Sequence, residues 1–161
     1  MLFRSRLSKD TELIEKIAQH KHRVEIYLQM DGVEDFVFEK LRGQHLLATK
    51  LQALDRLGAA DLNVTLVATL QAGVNEGQLG GLLELAAARP WVSGLSLQPA
   101  TYSGRHYLPE QLQARITAPD CIRLLCEQSQ GRLCESDFFP LPCAHPNCHV
   151  LAMCYRHEGT L

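Results

Sequence analysis

Hydrophobic and polar positions alternate in three stretches of the chain, and each stretch repeats the same arrangement. In residues 24–32 (VEIYLQMDG), Glu25, Tyr27, Gln29 and Asp31 fall on one face and Val24, Ile26, Leu28 and Met30 on the other. In 63–71 (NVTLVATLQ), Asn63, Thr65, Val67, Thr69 and Gln71 oppose Val64, Leu66, Ala68 and Leu70. In 94–99 (GLSLQP), Ser96 and Gln98 oppose Leu95 and Leu97. Three strands, each with polar groups on one face, predict a sheet backed by helices on its apolar side. The other side then holds a polar cavity able to carry a ligand.

Between these strands the period changes to that of a helix. Asp10 or Ser8 is placed to cap a helix reaching about His20, with Leu13, Ile14, Ile17 and Ala18 as its buried stripe. A second helix is predicted over 34–41, stopped at Arg42-Gly43. A third runs from about His45 to Leu57, with Gly58 as its expected C-terminal stop. The glycine-rich turn 73–81 (GVNEGQLGG) opens a fourth, over about 78–88, which Pro90 ends. Helix and strand alternate three times, and connections of this length imply parallel pairing. Beyond Pro99, 100–109 reads as a loop, a helix opens at Pro119-Asp120 and reaches about Gln130, 131–141 is irregular, and 149–156 (HVLAMCYR) reads as a short final strand.

The fold class is therefore α/β. In a doubly wound sheet, central strands are covered on both faces and read as continuous apolar runs. These strands alternate, so a barrel or partial barrel is favoured over the open sheet, with its polar lumen toward the carboxyl ends of the strands. Three strand–helix units are too few to close a barrel, and the first strand is left with an open edge. The expectation is a chain that forms the later part of a larger fold, or one that pairs with a partner chain.

Charge changes this picture little. Lys and Arg number 16 against 18 Asp and Glu, without a run of one sign, so nothing points to nucleic acid or an anionic membrane. No apolar run approaches a bilayer span and the N-terminus lacks a signal-peptide core, so a cytosolic protein is expected. The cysteines change it more. All six lie after residue 120, and in a reducing compartment such a group points to a metal site or free thiols rather than disulfides.

The sharpest local signal is 140–149, PLPCAHPNCH. Its prolines make it a stiff loop, and Cys143 and Cys148, with His145 and His149 beside them, suit a zinc ion or an iron–sulfur cluster. Two free thiols under a C-terminal flap is the alternative. Cys121 and Cys126 have the same spacing but sit on a predicted helix, where five residues turn about 500° and leave them about 140° apart. Cys126 then reads as core, and Cys134 as a further ligand. Gln29 and Asp31 are placed to hydrogen-bond a polar ligand, Asp31 equally to cap the following turn. Arg42 would hold a carboxylate or phosphate, with a solvated arginine or one paired with a nearby acid as the alternative. The 73–81 turn has neither GxGxxG spacing nor a P-loop lysine, and no Ser/His/Asp set is recognisable.

Taken together and in order, YLQMDG, LRGQHLLATKLQAL, TLVATLQAGVNEGQLGGLLELA, GLSLQP and PLPCAHPNC resemble the later part of a radical S-adenosylmethionine protein. The branch is the one around the tetraether lipid synthases and the pterin-methylating radical enzymes, relatives of the molybdenum-cofactor cyclase. The likeness covers roughly residues 23–156.

It implies a partial (βα)6 TIM-like barrel around a [4Fe–4S] cluster and S-adenosylmethionine, with the three strands here as its fourth to sixth. Residues 1–116 would be that partial barrel and 117–161 a cysteine-rich C-terminal extension. Gln29, Asp31, Thr69 and Gln98 would line the lumen near cofactor or substrate, and Cys143 and Cys148 would bind an auxiliary iron–sulfur cluster. The substrate would be a small molecule, lipid-like or pterin-like, and an external donor would supply the electron.

The CxxxCxxC that holds the radical-generating cluster in that family is absent from this sequence. The expectation is a fragment, a truncated product or a degenerate relative. Its complete form would cleave S-adenosylmethionine reductively to a 5′-deoxyadenosyl radical for C–H activation, leading to C–C bond formation or methylation. The chain alone is expected to be inactive. Two other classes stay open: a non-catalytic zinc or iron–sulfur binding module, and a scaffold that completes a barrel with a partner chain.

Overall fold

A computed structural model describes residues 6–101, 114–143 and 149–156. Among them the elements are α1 (Thr11–Ala18), β1 (Ile26–Gln29), α2 (Asp35–Arg42), α3 (Leu47–Ala59), β2 (Val64–Leu70), α4 (Leu79–Ala87), β3 (Val92–Pro99), α5 (Ala118–Gln128), β4 (Phe138–Pro140) and β5 (Val150–Ala152). Short 3-10 turns, Glu76–Gln78 and Glu135–Asp137, precede α4 and β4.

The first three strands form one sheet in the order β1-β2-β3, parallel throughout. Tyr27 lies against Thr65 and Gln29 against Val67. On the other side Val67 pairs with Ser96 and Thr69 with Gln98. Ser93 is an extra residue between the Val64–Val92 and Thr65–Gly94 pairs, a bulge whose hydroxyl donates to Glu25 Oε1 and Val64 O. Helices flank this sheet. Leu28, Met30, Leu66 and Leu70 share one buried cluster with Phe38 of α2, Leu54 of α3, Leu82 of α4 and Leu125 of α5. The apolar half of each alternating stretch therefore faces helices, which is what drove these segments to pair as they do.

The opposite face is not uniformly polar surface. β2 lies between two strands, and Thr65 and Val67 on its second face are buried as well. Tyr27, on the edge strand, is 66% exposed. The alternation expected of all three strands thus survives at β1 and is muted at β2, because neighbours on both sides cover the central strand.

The helix ends show which local signals decided. Asp10 Oδ1 accepts from the Leu13 amide at 2.9 Å, so Asp10, not Ser8, caps α1. Gly43 closes α2 with φ +70°, a left-handed conformation that glycine adopts without strain. Gly58 is not the stop of α3. The helix continues to Ala59 and the reversal falls on Asp61, at φ +56°. Gly58 is required for packing instead: a Cβ there would stand 2.2 Å from the Trp91 ring. The Trp91 indole N–H donates to Leu54 O, fixing β3's start against α3.

The C-terminal part contains a strand that the sequence pattern does not announce. Phe138–Pro140, inside the stretch expected to be irregular, pairs antiparallel with Val150–Ala152, the core of the expected final strand. The two close a hairpin whose connection carries the PLPCAHPNCH loop.

Among the described residues no helix is long and apolar enough to cross a membrane.

Candidate functional site at the carboxyl ends of the strands

Parallel pairing brings the ends of β1, β2 and β3 to one edge of the sheet. Asp31 lies two residues past β1, Thr69 is next to last in β2, and Gln98 is next to last in β3. The Thr69–Gln98 register puts those two side chains next to each other on the same face.

Asp31 is the centre of the arrangement and is fully buried. Its Oδ2 accepts from Arg42 Nε at 2.8 Å. Its Oδ1 accepts from Arg42 Nη2 at 2.9 Å, Gln29 Nε2 at 2.6 Å and the Thr69 amide at 3.0 Å. Thr69 Oγ1 in turn accepts from Gln29 and Arg42, both at 3.2 Å. Burial alone pushes the Asp31 carboxyl up. The Arg42 guanidinium, the Thr69 amide and the Gln29 amide outweigh it and hold the group below its ordinary value of 3.8. The carboxylate is therefore ionised and saturated with donors.

Asp31 consequently serves less as a free ligand than as a brace. It grips Arg42 by the two nitrogens of one edge in a bidentate fork. Arg42 stays 27% exposed, and its Nη1 has no bonded partner among the described residues. The last turn of α2 thus delivers a fixed positive charge to the carboxyl end of the sheet. Of the roles open to Arg42 in the sequence, pairing with a nearby acid is realised, and it leaves one end of the guanidinium available.

Asn75 is a site residue that the sequence reading missed. Its Nδ2 donates to Asp31 O and Thr69 O, both at 2.8 Å, and its Oδ1 accepts from the Gln71 amide. One buried amide thereby ties the chain after β1 to the end of β2. The signal was an Asn four residues after Gln71 in a glycine-rich turn, a local motif easily read as turn chemistry alone. Gln78 continues the lattice, accepting from the Val33 amide and donating to Glu34.

Of the residues expected to bind cofactor, Gln29, Asp31 and Thr69 come together in one network. Gln98 stands beside Thr69, exposed and outside that network among the described residues. Of the expected metal ligands, Cys143 is exposed in the turn after β4, while Cys148 lies outside the described residues, as does His145. Leu141 N donates to His149 O, so the hairpin connection is held at its base. Among the described residues no three Cys, His, Asp or Glu side chains converge on a point that could hold a metal ion.

The remaining cysteines separate by environment. Cys121 is in the core, where burial and Asp120 push its thiol up to about 11. Cys126 is half-buried rather than core. Cys134 is exposed and its thiol donates to Asp137 at 3.2 Å.

Comparison with known proteins adds one finding. No protein-family model matches the chain. Over 123 residues the chain is 37% identical to a protein of Methanocaldococcus jannaschii named 7,8-dihydro-6-hydroxymethylpterin dimethyltransferase. The match takes in 75% of this chain and 24% of that protein. Three quarters of this chain is thus similar to about one quarter of a protein named as a pterin dimethyltransferase.

Proposed function

We propose that this chain forms the second half of a radical S-adenosylmethionine barrel whose complete form methylates a pterin-like substrate. The observation that carries the reading is the braced Arg42 at the carboxyl ends of three parallel strands. A guanidinium whose one edge is neutralised by a buried carboxylate and whose Nη1 has no bonded partner among the described residues suits an anionic group of a small ligand. The carboxylate of S-adenosylmethionine is such a group, and Gln29, Thr69 and Gln98 add amide and hydroxyl groups on the same face of the sheet. The pterin-like substrate comes from the name of the similar protein, which that protein bears for its whole length.

The cofactors fit the donors unevenly. S-adenosylmethionine meets a cation and a row of polar side chains. A metal centre meets Cys143 with Cys148 on the same hairpin connection, thiol chemistry suited to iron–sulfur or zinc. Reductive cleavage of S-adenosylmethionine is chemistry supplied by a CxxxCxxC-held cluster, and this sequence contains no such motif. Within this chain, Arg42 binds and orients an anion, Asp31 and Asn75 hold its seat, and Cys143 and Cys148 hold a metal group. Residues 1–116 are the barrel part of this reading and 117–161 its cysteine-bearing extension.

Anaerobic reconstitution with iron and sulfide tests the proposal. The expected result is bound iron and sulfide with a thiolate-to-iron absorbance that Cys143→Ser removes, and no 5′-deoxyadenosine on reduction with S-adenosylmethionine. Stoichiometric zinc without colour would assign the chain to the binding-module class. Formation of 5′-deoxyadenosine would show that the chain is catalytic by itself.

A further inference from the structure

α4 begins without a cap from its own sequence. Gln78, at its N-cap position, makes no side-chain bond to the first turn, although that turn leaves amide donors without intrahelical partners. One of them, the Gly80 amide, donates instead to Gln128 Oε1 at 3.0 Å, from the last residue of α5. The same side chain's Nε2 donates to Glu76 O at 2.8 Å. A single amide group, acceptor at one atom and donor at the other, thus spans the junction between the 3-10 turn Glu76–Gln78 and α4. The fit is close: a Cβ on Gly80 would stand 2.7 Å from Gln128 O, a main-chain atom that no rotamer change can move. Glycine is otherwise a poor choice within a helix; here it admits the end of α5 to the junction.

That junction carries the two side chains that hold the chain between β1 and α2. Asn75, just before the 3-10 turn, bridges Asp31 O and Thr69 O, beyond the last paired residues of β1 and β2, Gln29 and Val67. Gln78, the turn's last residue, accepts from the Val33 amide at 3.0 Å and donates to Glu34 Oε1 at 2.9 Å. Both amides are buried, where a lost partner is not replaced by water without cost. Gly81 packs on the same segment, a Cβ there meeting Val33 Cγ2 at 2.7 Å. Asp31, where the held segment starts, is the residue whose carboxylate fixes Arg42. A continuous run of hydrogen bonds therefore leads from the end of α5, through the turn with Asn75 and Gln78, to Asp31 and the guanidinium.

We propose that Gln128 is a positioning residue for the anion seat: by capping α4 from α5 it fixes the turn whose Asn75 and Gln78 hold Asp31, and hence Arg42, at the carboxyl ends of the strands. The ligand half of the proposal rests on the reading of Arg42 as the seat of an anionic group; the structural half does not.

Amide hydrogen exchange and titration with S-adenosylmethionine, both followed by NMR on the 161-residue chain, test it. Gln128 is half-buried, so Gln128→Ala is expected to fold. The informative amides are those of Val33 and Thr69, which donate to Gln78 Oε1 and Asp31 Oδ1, bonds in which Gln128 takes no part. Gln128→Ala is expected to speed their exchange about fivefold, the equivalent of one ordinary hydrogen bond, and to weaken S-adenosylmethionine binding by a similar factor. The Val64 and Val92 amides, which donate to Trp91 O and Arg89 O at the amino end of the sheet, are expected to keep their rates. Gly80→Ala leaves the Gln128 side chain intact but forces the end of α5 away, and is expected to reproduce both effects. Arg123→Ala, on the exposed side of α5 where Arg123 pairs with Asp120 and Glu127, is expected to reproduce neither. Unchanged exchange at Val33 and Thr69 in Gln128→Ala would overturn the proposal. Equal speeding of all four amides would make Gln128 a general stabiliser and overturn it too, as would local speeding with unchanged S-adenosylmethionine affinity. A wild-type chain without saturable shifts would overturn the reading of the seat, and the ligand half with it, whatever the exchange pattern.

Discussion

Arg42 grips both oxygens of Asp31, eleven residues earlier in the chain, and the two differ sharply in exposure: the carboxylate is fully buried while the guanidinium reaches solvent. Removing the cation alone leaves a buried negative charge with only neutral donors. Arg42→Ala is predicted to cost about 3 kcal/mol, the low end for breaking a buried pair because Arg42 is partly exposed. Adding Asp31→Asn to that background removes the stranded charge and is predicted to recover part of the loss. Urea unfolding of the two single variants and the double variant measures this as a coupling energy.

The same carboxylate makes stability depend on acid. Its folded pKa lies below its ordinary 3.8, so its contribution is complete above that value and is lost as pH falls through the folded pKa. Wild-type stability should therefore drop steeply from about pH 4 downward, the ordinary range for an aspartate. In Asp31→Asn the slope over that window should be shallower. Equal slopes in wild type and variant would show that Asp31 is not the group responsible.

Gly58 gives a prediction of opposite sign to the one its helix position implies. A glycine inside a helix usually gains from alanine by roughly 1 kcal/mol. Here the added Cβ would meet the Trp91 ring at 2.2 Å, and that ring is pinned through its N–H to Leu54 O. Gly58→Ala is predicted to destabilise by about 1–3 kcal/mol, the usual cost of overpacking. Thermal unfolding beside Gly77→Ala, where a Cβ meets nothing, separates crowding from backbone effects.

Much of the sheet was legible in the sequence because its signals are local. Period-two alternation marked the three parallel strands, Asp10 marked the start of α1 and Gly43 the end of α2. What the sequence concealed depends on partners distant in the chain. Phe138–Pro140 is a strand only because Val150–Ala152 pairs with it, and three residues ending in proline carry no period of their own. Gly58 looked like a helix stop because the tryptophan that demands it lies 33 positions later. Gln29, Asp31 and Thr69 were legible as polar strand-end residues, but the grip of Arg42 on the Asp31 and Thr69 side chains, and of Asn75 on their carbonyls, follows from how α2 and the glycine-rich turn fold back over the strand ends.

Thiol reactivity should follow burial rather than sequence position. Cys121 is buried with its thiol pushed up to about 11, whereas Cys134 and Cys143 are exposed. At pH 8, iodoacetamide is predicted to label Cys134 and Cys143 in the native chain while Cys121 reacts only after unfolding. Peptide mass spectrometry of timed samples reads the order, and early labelling of Cys121 would place α5 outside the core.

The central claim is that the carboxyl ends of β1, β2 and β3 seat the anionic group of a small molecule through Arg42. The most direct measurement is a titration of the isotope-labelled chain with S-adenosylmethionine, followed by amide chemical shifts. The account predicts saturable shifts grouped at residues 29–43, 69–78 and 98–100, which Arg42→Gln abolishes without altering the rest of the spectrum. Shifts grouped elsewhere, or an Arg42→Gln chain that binds as tightly as wild type, would contradict it.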